Sequence, residues 1–548
     1  MDVPVTDRRR TTAVVVGIAL LAVAIRLTLL GRRVFHWDEA RVGYWILQYV
    51  ATGTWSYRPI LHGPFLFHVN AALFSLLGPT DFVARSVVAL VGGALPLAAL
   101  LFRERLDRIE VVALALFLAL NPVLVYYSRF MRNDVLAAGF ALIALGLFVR
   151  LADTGRGRYL YAGAGFLALA ATTKEILLVY LGLWGGTLAL LLDNRLLAAR
   201  LRGAGWRPVI HGVVDALSDR LRRWAIPLTV ALLEFVAIVA LFYAPRPDLY
   251  RAIANPALLP SVLRAGTVGA WTELWGQWVA ASPEHSYVAY LAADLRRLAA
   301  TSLPVVAFGV GGFLADRYAR RRPRDVVTIG FGWALATVVV YPAITDISAP
   351  WALVHVVVPL AIPAAAGVGR LVDLGASFLA DRDRLGTLAV AAIVFLAAAQ
   401  VGATVYQTSF AEPQAADNPL VQYGQPGSWM QETLADVERI AATNAGTDVR
   451  FYGDHFYVAN ESNPRGGPNW TNRFPLTWYL ARANASIEST KRLAAVTGEA
   501  PIVIARAEHY AELAERLEGY DARTFAITAT NTETVVFVDR SALADGEG

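Results

Sequence analysis

Long apolar runs dominate this chain: about eleven stretches are long and hydrophobic enough to cross a lipid bilayer as helices. They lie near residues 12–30, 82–102, 109–127, 133–151, 158–173, 176–193, 225–244, 300–316, 326–345, 351–371 and 386–406. A chain with this pattern is a polytopic α-helical membrane protein, and its 56% hydrophobic content and mean hydropathy of +0.46 place it in the same class. The run Val14–Leu30 is too long for a signal-peptide core and reads as a retained span. Pro64–Gly78 is apolar but short, bounded by Pro64 and by Gly78-Pro79, and reads as an interfacial helix.

Arginine placement orients the spans. With the N-terminus inside, Arg8-Arg9-Arg10, Arg103/Arg105/Arg108, Arg156/Arg158, the Arg195–Arg223 loop, Arg317–Arg324 and Arg382/Arg384 all fall on the cytoplasmic side, as the positive-inside rule requires. Counting Pro64–Gly78 as a span would break that pattern. The opposite face then carries loop 31–81, the segment around Tyr127–Asp134, the turn Thr173-Lys174-Glu175, loop 245–299 and everything after residue 407. The chain has no cysteine, which removes disulfides, thiol nucleophiles and thiolate metal sites. Its only lysines are Lys174 and Lys491, among 49 basic residues.

After Ala411 the hydropathy falls. Trp429–Ala442 reads as a helix, Val449–Tyr452, Ile502–Ala505 and Thr534–Asp539 as strands, and Ala507–Leu517 as a charged helix. This divides the chain into a transmembrane domain, 1–410, and a soluble extracytoplasmic α/β domain, 411–548. Asn-x-Ser/Thr triplets at Asn460, Asn469 and Asn484 agree with an outside location.

The ionisable residues that look out of place converge on the outer face. Asp38-Glu39, in the run His36-Trp37-Asp38-Glu39-Ala40, follows the first span. An isolated acid pair there is most simply a solvated cap; a general base must be held close to the proton it removes. His62, in Leu61-His62-Gly63-Pro64, suits a metal or phosphate and equally a structural hydrogen bond at a Gly-Pro turn. Arg129 and Arg132 flank Phe130-Met131, with Asn133-Asp134 behind them. Their fork-shaped donors match phosphate oxygens, whereas Asp134 also suits a helix N-terminus. Lys174-Glu175 interrupts an otherwise continuous apolar stretch, and ionisable residues at membrane depth usually mark a site. Loop 245–299 carries Trp271, Trp275 and Trp278 at helical spacing, suited to an interfacial anchor, then Pro283-Glu284-His285. No Walker motif, dinucleotide fingerprint or serine triad stands out. An outward-facing site favours a lipid-linked donor over a nucleotide sugar.

The motifs Trp37-Asp38-Glu39-Ala40-Arg41, His62-Gly63-Pro64, Tyr127-Ser128-Arg129-Phe130-Met131-Arg132-Asn133-Asp134 and Thr173-Lys174-Glu175 resemble those of GT-C membrane glycosyltransferases. The likeness is to the protein O-mannosyltransferase and lipid A aminoarabinose transferase superfamily, and within it to an archaeal flippase-associated subgroup. It covers residues 12–200 well and the remaining spans by topology. It implies inverting transfer of a sugar from a dolichyl- or polyprenyl-phosphate donor to a glycan, protein or lipid acceptor. By the resemblance, Asp38 is the general base and Glu39 helps position the acceptor. Arg129, Arg132 and Lys174 bind the donor phosphate, Asp134 and Glu175 orient those cations, and His285 supports the site. His62 falls where some relatives place an acidic metal ligand, so a divalent metal is the one cofactor left open. Membrane lipids are the remaining partners, and no nucleic acid is expected. The rival reading is a non-catalytic accessory in the flipping of lipid-linked sugars.

Overall fold

The computed structural model describes residues 5–59, 62–203, 205–276, 285–320, 322–345, 347–427, 430–462, 467–526 and 533–544. Among these residues nine helices are long and apolar enough to cross a membrane: Arg8–Leu27, Asp81–Phe102, Asp134–Thr154, Leu177–Arg200, Trp206–Tyr243, Tyr287–Ala319, Asp325–Ile344, Pro350–Ala380 and Arg384–Ala411. The protein is a multi-pass α-helical membrane protein with a C-terminal α/β domain. Phe65–Leu77 is a short apolar helix, as its flanking breakers predict.

Two of the eleven expected spans are not among these nine long helices. The stretch 109–127 breaks into Arg108–Leu120 and Pro122–Tyr127. Pro122 lacks an N–H and cannot continue the first helix. Asn121 restarts the chain by accepting from the backbone N–H groups of Val123 (3.0 Å) and Leu124 (3.4 Å). The stretch 158–173 forms a 16-residue helix, Arg158–Thr173, that stops at Lys174 and packs against Asp134–Thr154 and Trp206–Tyr243.

The chain forms two compact units, and neither is continuous in sequence. The first comprises Met1–Thr28, Trp55–His68 and Ser86–Ala411; the second comprises Leu29–Thr54, Val69–Arg85 and Glu412–Gly548. At the centre of the first is the helix Val354–Ala380, buried without interruption from Val354 to Ala366. It packs on Tyr287–Leu314, Asp325–Ile344 and Arg108–Leu120. Lipid supplies no hydrophobic drive between spans, so close backbone contact must do so. A Cβ on Gly312 would lie 2.1 Å from the Pro363 carbonyl oxygen, and one on Gly367 would lie 2.3 Å from that of Phe308.

The second unit is built on a five-stranded sheet in the order β2-β1-β3-β5-β4. The strands are β1 (Val449–Tyr452), β2 (Ile487–Thr490), β3 (Ile502–Arg506), β4 (Tyr520–Ala526) and β5 (Glu533–Asp539). β1 runs parallel to β2 and β3; β5 is antiparallel to β3 and β4. The expected strands at 449–452, 502–505 and 534–539 are the buried centre of this sheet. β2 and β4 are its edges, and their polar sequences carry little strand signal. The expected helix at 429–442 is Met430–Thr443, with Trp429 outside the described residues; that at 507–517 shortens to Ala507–His509 and Tyr510–Ala514. The earlier parts of the chain join this unit through named contacts. Asp81 accepts from Trp478 Nε1 (2.9 Å), Tyr479 Oη (3.0 Å) and Arg482 (2.7 Å), and Phe35 stacks on Trp478 with centroids 4.8 Å apart.

Candidate active site

In the first unit the candidate residues gather around Asp134. The helix Arg158–Thr173 ends because Lys174 turns to an extended backbone, φ −154° and ψ 144°. That turn sends Nζ to Asp134 Oδ1 at 2.7 Å. Arg132 Nε donates to Asp134 Oδ2 at 3.1 Å, and His355 Nε2 lies 3.1 Å from Oδ1. Tyr180 Oη bonds His355 Nδ1 from the other side of the ring. All these groups are buried, so each polar atom needs a partner, and the network supplies it. The Trp351 ring takes Lys174 Nζ at 3.7 Å and the Arg132 guanidinium at 5.3 Å from its centroid.

Arg129 lies apart from that carboxylate. Its Nη1 donates to the carbonyl oxygens of Ile25 (3.2 Å), Arg26 (3.0 Å) and Thr28 (2.5 Å), at the end of the first span. A cation there complements the negative end of the helix dipole. Phe410 lies under its guanidinium, 4.6 Å away.

Glu175 does not orient these cations, which corrects that expectation. Its carboxylate accepts from Tyr57 Oη at 2.6 Å and lies 3.4 Å from His62 Nδ1. Burial pushes the Glu175 carboxyl up, but His62 and Tyr57 outweigh it and leave the group below its ordinary value. Gly63 N donates to the Thr173 carbonyl at 3.1 Å, and a Cβ on Gly63 would lie 2.3 Å from the Thr172 oxygen. The Gly-Pro loop is therefore stapled onto the Lys174 turn. One imidazole and one carboxylate do not make a metal centre. Among the described residues no group of three or more His, Asp or Glu side chains is arranged to hold a metal ion. His62 therefore does not fit the tentative ligand role.

His285 bonds the Thr345 carbonyl at 2.7 Å, and no described contact joins it to Asp134 or Lys174. Glu284 and Trp278 lie outside the described residues. Trp271 and Trp275 are exposed, with ring centroids 5.8 Å apart. Sequence reasoning missed His355, Tyr180 and Trp351. A signal was present for the first: His355 is a histidine inside an apolar span, and such a residue marks a site.

In the second unit, His36 caps the helix Trp37–Thr52. Its Nδ1 accepts from Asp38 N at 3.0 Å while the Glu39 carboxylate accepts from His36 N at 3.0 Å, a reciprocal capping box. His36 Nε2 lies 2.7 Å from the Tyr423 carbonyl, so that nitrogen carries the proton and Nδ1 is left to accept. Glu39 is 0% exposed and takes a two-pronged bond from Arg85, Nε to Oε1 at 2.8 Å and Nη2 to Oε2 at 2.7 Å. Burial alone would raise its carboxyl; Arg85 and Arg33 bring it down to about 2. A carboxylate held this way anchors the helix and does not meet an acceptor. Asp38, one residue earlier, keeps 24% of its side chain exposed and lies 3.3 Å from Arg41. The adjacent acids thus differ in burial: Glu39 is fully buried and Asp38 is partly exposed.

Residues 61–202 match the family model described as dolichyl-phosphate-mannose-protein mannosyltransferase. Residues 430–539 match that described as Agl23 flippase-associated protein C-terminal domain. The crystal structure of ArnT from Cupriavidus metallidurans in the apo state superposes with a TM-score of 0.57 at 15% identity, covering 96% of this chain and 98% of that one. The same protein bound to undecaprenyl phosphate gives 0.53 at 16% identity, covering 97% and 99%. No curated protein sequence matches. The chain shares its fold with ArnT.

Proposed function

We propose that the protein is a GT-C glycosyltransferase that moves a sugar from a polyprenyl- or dolichyl-phosphate donor to a glycan, protein or lipid acceptor. The observation that carries this is the buried Arg132–Asp134–Lys174 cluster against Trp351, within the segment that matches the mannosyltransferase family. The ArnT fold, solved with a polyprenyl phosphate bound, supports the donor class. Transfer leaves a lipid phosphate, so negative charge grows on the leaving oxygen. Fixed cations stabilise that charge without reorganising. Lys174 and Arg132 fill this role, with Asp134 and His355 holding them, and Arg129 is a further cation for the donor phosphate. Asp38 is the general base that takes the proton of the acceptor hydroxyl, and Glu39 is a positioning residue that fixes its helix through Arg85. An inverting displacement needs one base and one cationic pocket, and no metal step is required of these residues.

The reaction runs on the outer face, in surface glycan or glycoprotein assembly, with the N-terminus cytoplasmic and the C-terminal domain extracytoplasmic.

The flippase-associated description of residues 430–539 favours a second reading, an accessory that binds lipid-linked sugar without turning it over. Asp38→Asn separates the two. Surface glycans and polyprenyl-linked sugars are measured by mass spectrometry in cells carrying the native chain or the variant at matched expression. Transferase activity requires the variant to lose one sugar from the finished glycan while its lipid-phosphate form accumulates. A variant that behaves as native, with full deletion stranding lipid-linked sugar, leaves the accessory reading standing and removes the enzyme.

A further inference from the structure

The C-terminal sheet has a feature that the transferase reading leaves unused. From β1 the chain crosses to β2 on one side and then to β3 on the other, with all three parallel. The loops that leave the carboxyl ends of β1 and β3 therefore diverge. In open parallel sheets this switch point is where ligands bind.

The first of those loops carries His455, and Arg506 is the last residue of β3, where the second begins. Asn472 Nδ2 lies 3.3 Å from His455 Nδ1 and donates to the His455 carbonyl at 3.0 Å. With Nδ1 accepting, the ring proton sits on Nε2. His455 Nε2 is buried and has no partner among the described residues, and the same holds for Arg506 Nε. Burial and the charge of Arg506 hold the His455 imidazole below its ordinary value, so it donates as a neutral ring. Lys491, one of the two lysines, stands at the end of β2 with Nζ 2.7 Å from Asp454. Two N–H donors at a switch point, each without a partner among the described residues, suit an acceptor oxygen. Glu508, 3.0 Å from Arg506, holds the guanidinium by one edge in its absence.

The geometry points to an oxyanion-binding site at the carboxyl ends of β1 and β3, formed by His455 and Arg506, for the carboxylate of an acidic sugar or a phosphate group. It is separate from the donor-phosphate cations of the first unit and stands whether or not the protein is a transferase.

The test is calorimetric titration of the full chain in lipid nanodiscs with sodium glucuronate and, separately, inorganic phosphate. At least one probe binds the native protein, and which one identifies the source of the oxyanion. Arg506→Gln and His455→Phe weaken that binding tenfold or more. Glu508→Gln, which removes a competing carboxylate without touching the donors, tightens it about threefold. The proposal is overturned if neither probe binds or if both donor variants bind as native.

Discussion

Neighbouring residues of one type can have opposite fates. Asp38 and Glu39 read as a matched acid pair in sequence, yet helical geometry turns Glu39 inward to Arg85 and leaves Asp38 at the surface of the second unit. Glu39→Gln should cost on the order of 3 kcal/mol, because it strands a fully buried guanidinium. The sign of its pH dependence follows from the lowered carboxyl. Its contribution is complete above the ordinary value of 4.5 and is lost as pH falls toward about 2. Thermal unfolding in detergent should therefore separate native and variant midpoints widely at pH 6, and the gap should narrow by pH 3. A gap independent of pH would mean that Glu39 carries no charge in the fold.

At the scale of elements, small residues decide which helices touch. Tyr287–Leu314 and Val354–Ala380 approach so closely at Gly312 and Gly367 that each added Cβ would collide with a carbonyl oxygen of the other helix. Neither helix can yield without losing its own hydrogen bonds. Gly312→Leu is expected to cost 2 kcal/mol or more. It should also lower the unfolding midpoint in detergent, whereas Gly311→Leu, with nothing within 4 Å of its Cβ position, should fold as native. Equal loss in both variants would refute the packing argument. The same helix carries His355 from the bundle centre to Asp134, so the crossing that Gly312 permits also sets the height of the cation cluster.

For the whole molecule the arrangement of the ends is the testable property. The chain has no native cysteine, so single replacements give a clean readout. Ser462→Cys lies on an exposed turn of the second unit, and Arg156→Cys lies on the exposed turn between Asp134–Thr154 and Arg158–Thr173. A membrane-impermeant maleimide applied to intact cells should label the first and spare the second. The reverse pattern would put the N-terminus outside and remove the case for a lipid-linked donor used from the outer face.

The sequence alone determined the membrane class, nine of the spans and the buried strands of the C-terminal sheet. Those properties follow from hydropathy and periodicity, which are local and additive along the chain. It also singled out Arg132, Asp134 and Lys174, because charge at membrane depth is conspicuous. What it did not reveal are the pairings. The break at Asn121-Pro122 is local, yet apolar residues on both sides mask it. That Glu175 serves Tyr57 and His62, that Glu39 serves Arg85, and that His355 completes the Asp134 cluster depend on which helices pack together. Residues 134 and 355 are 221 positions apart, and only tertiary packing brings them to 3.1 Å. The second unit makes the same point, since it gathers residues 29–54, 69–85 and 412–548 from separate parts of the chain. A buried charge must find a partner wherever the fold supplies one, and sequence distance has no bearing on which partner that is.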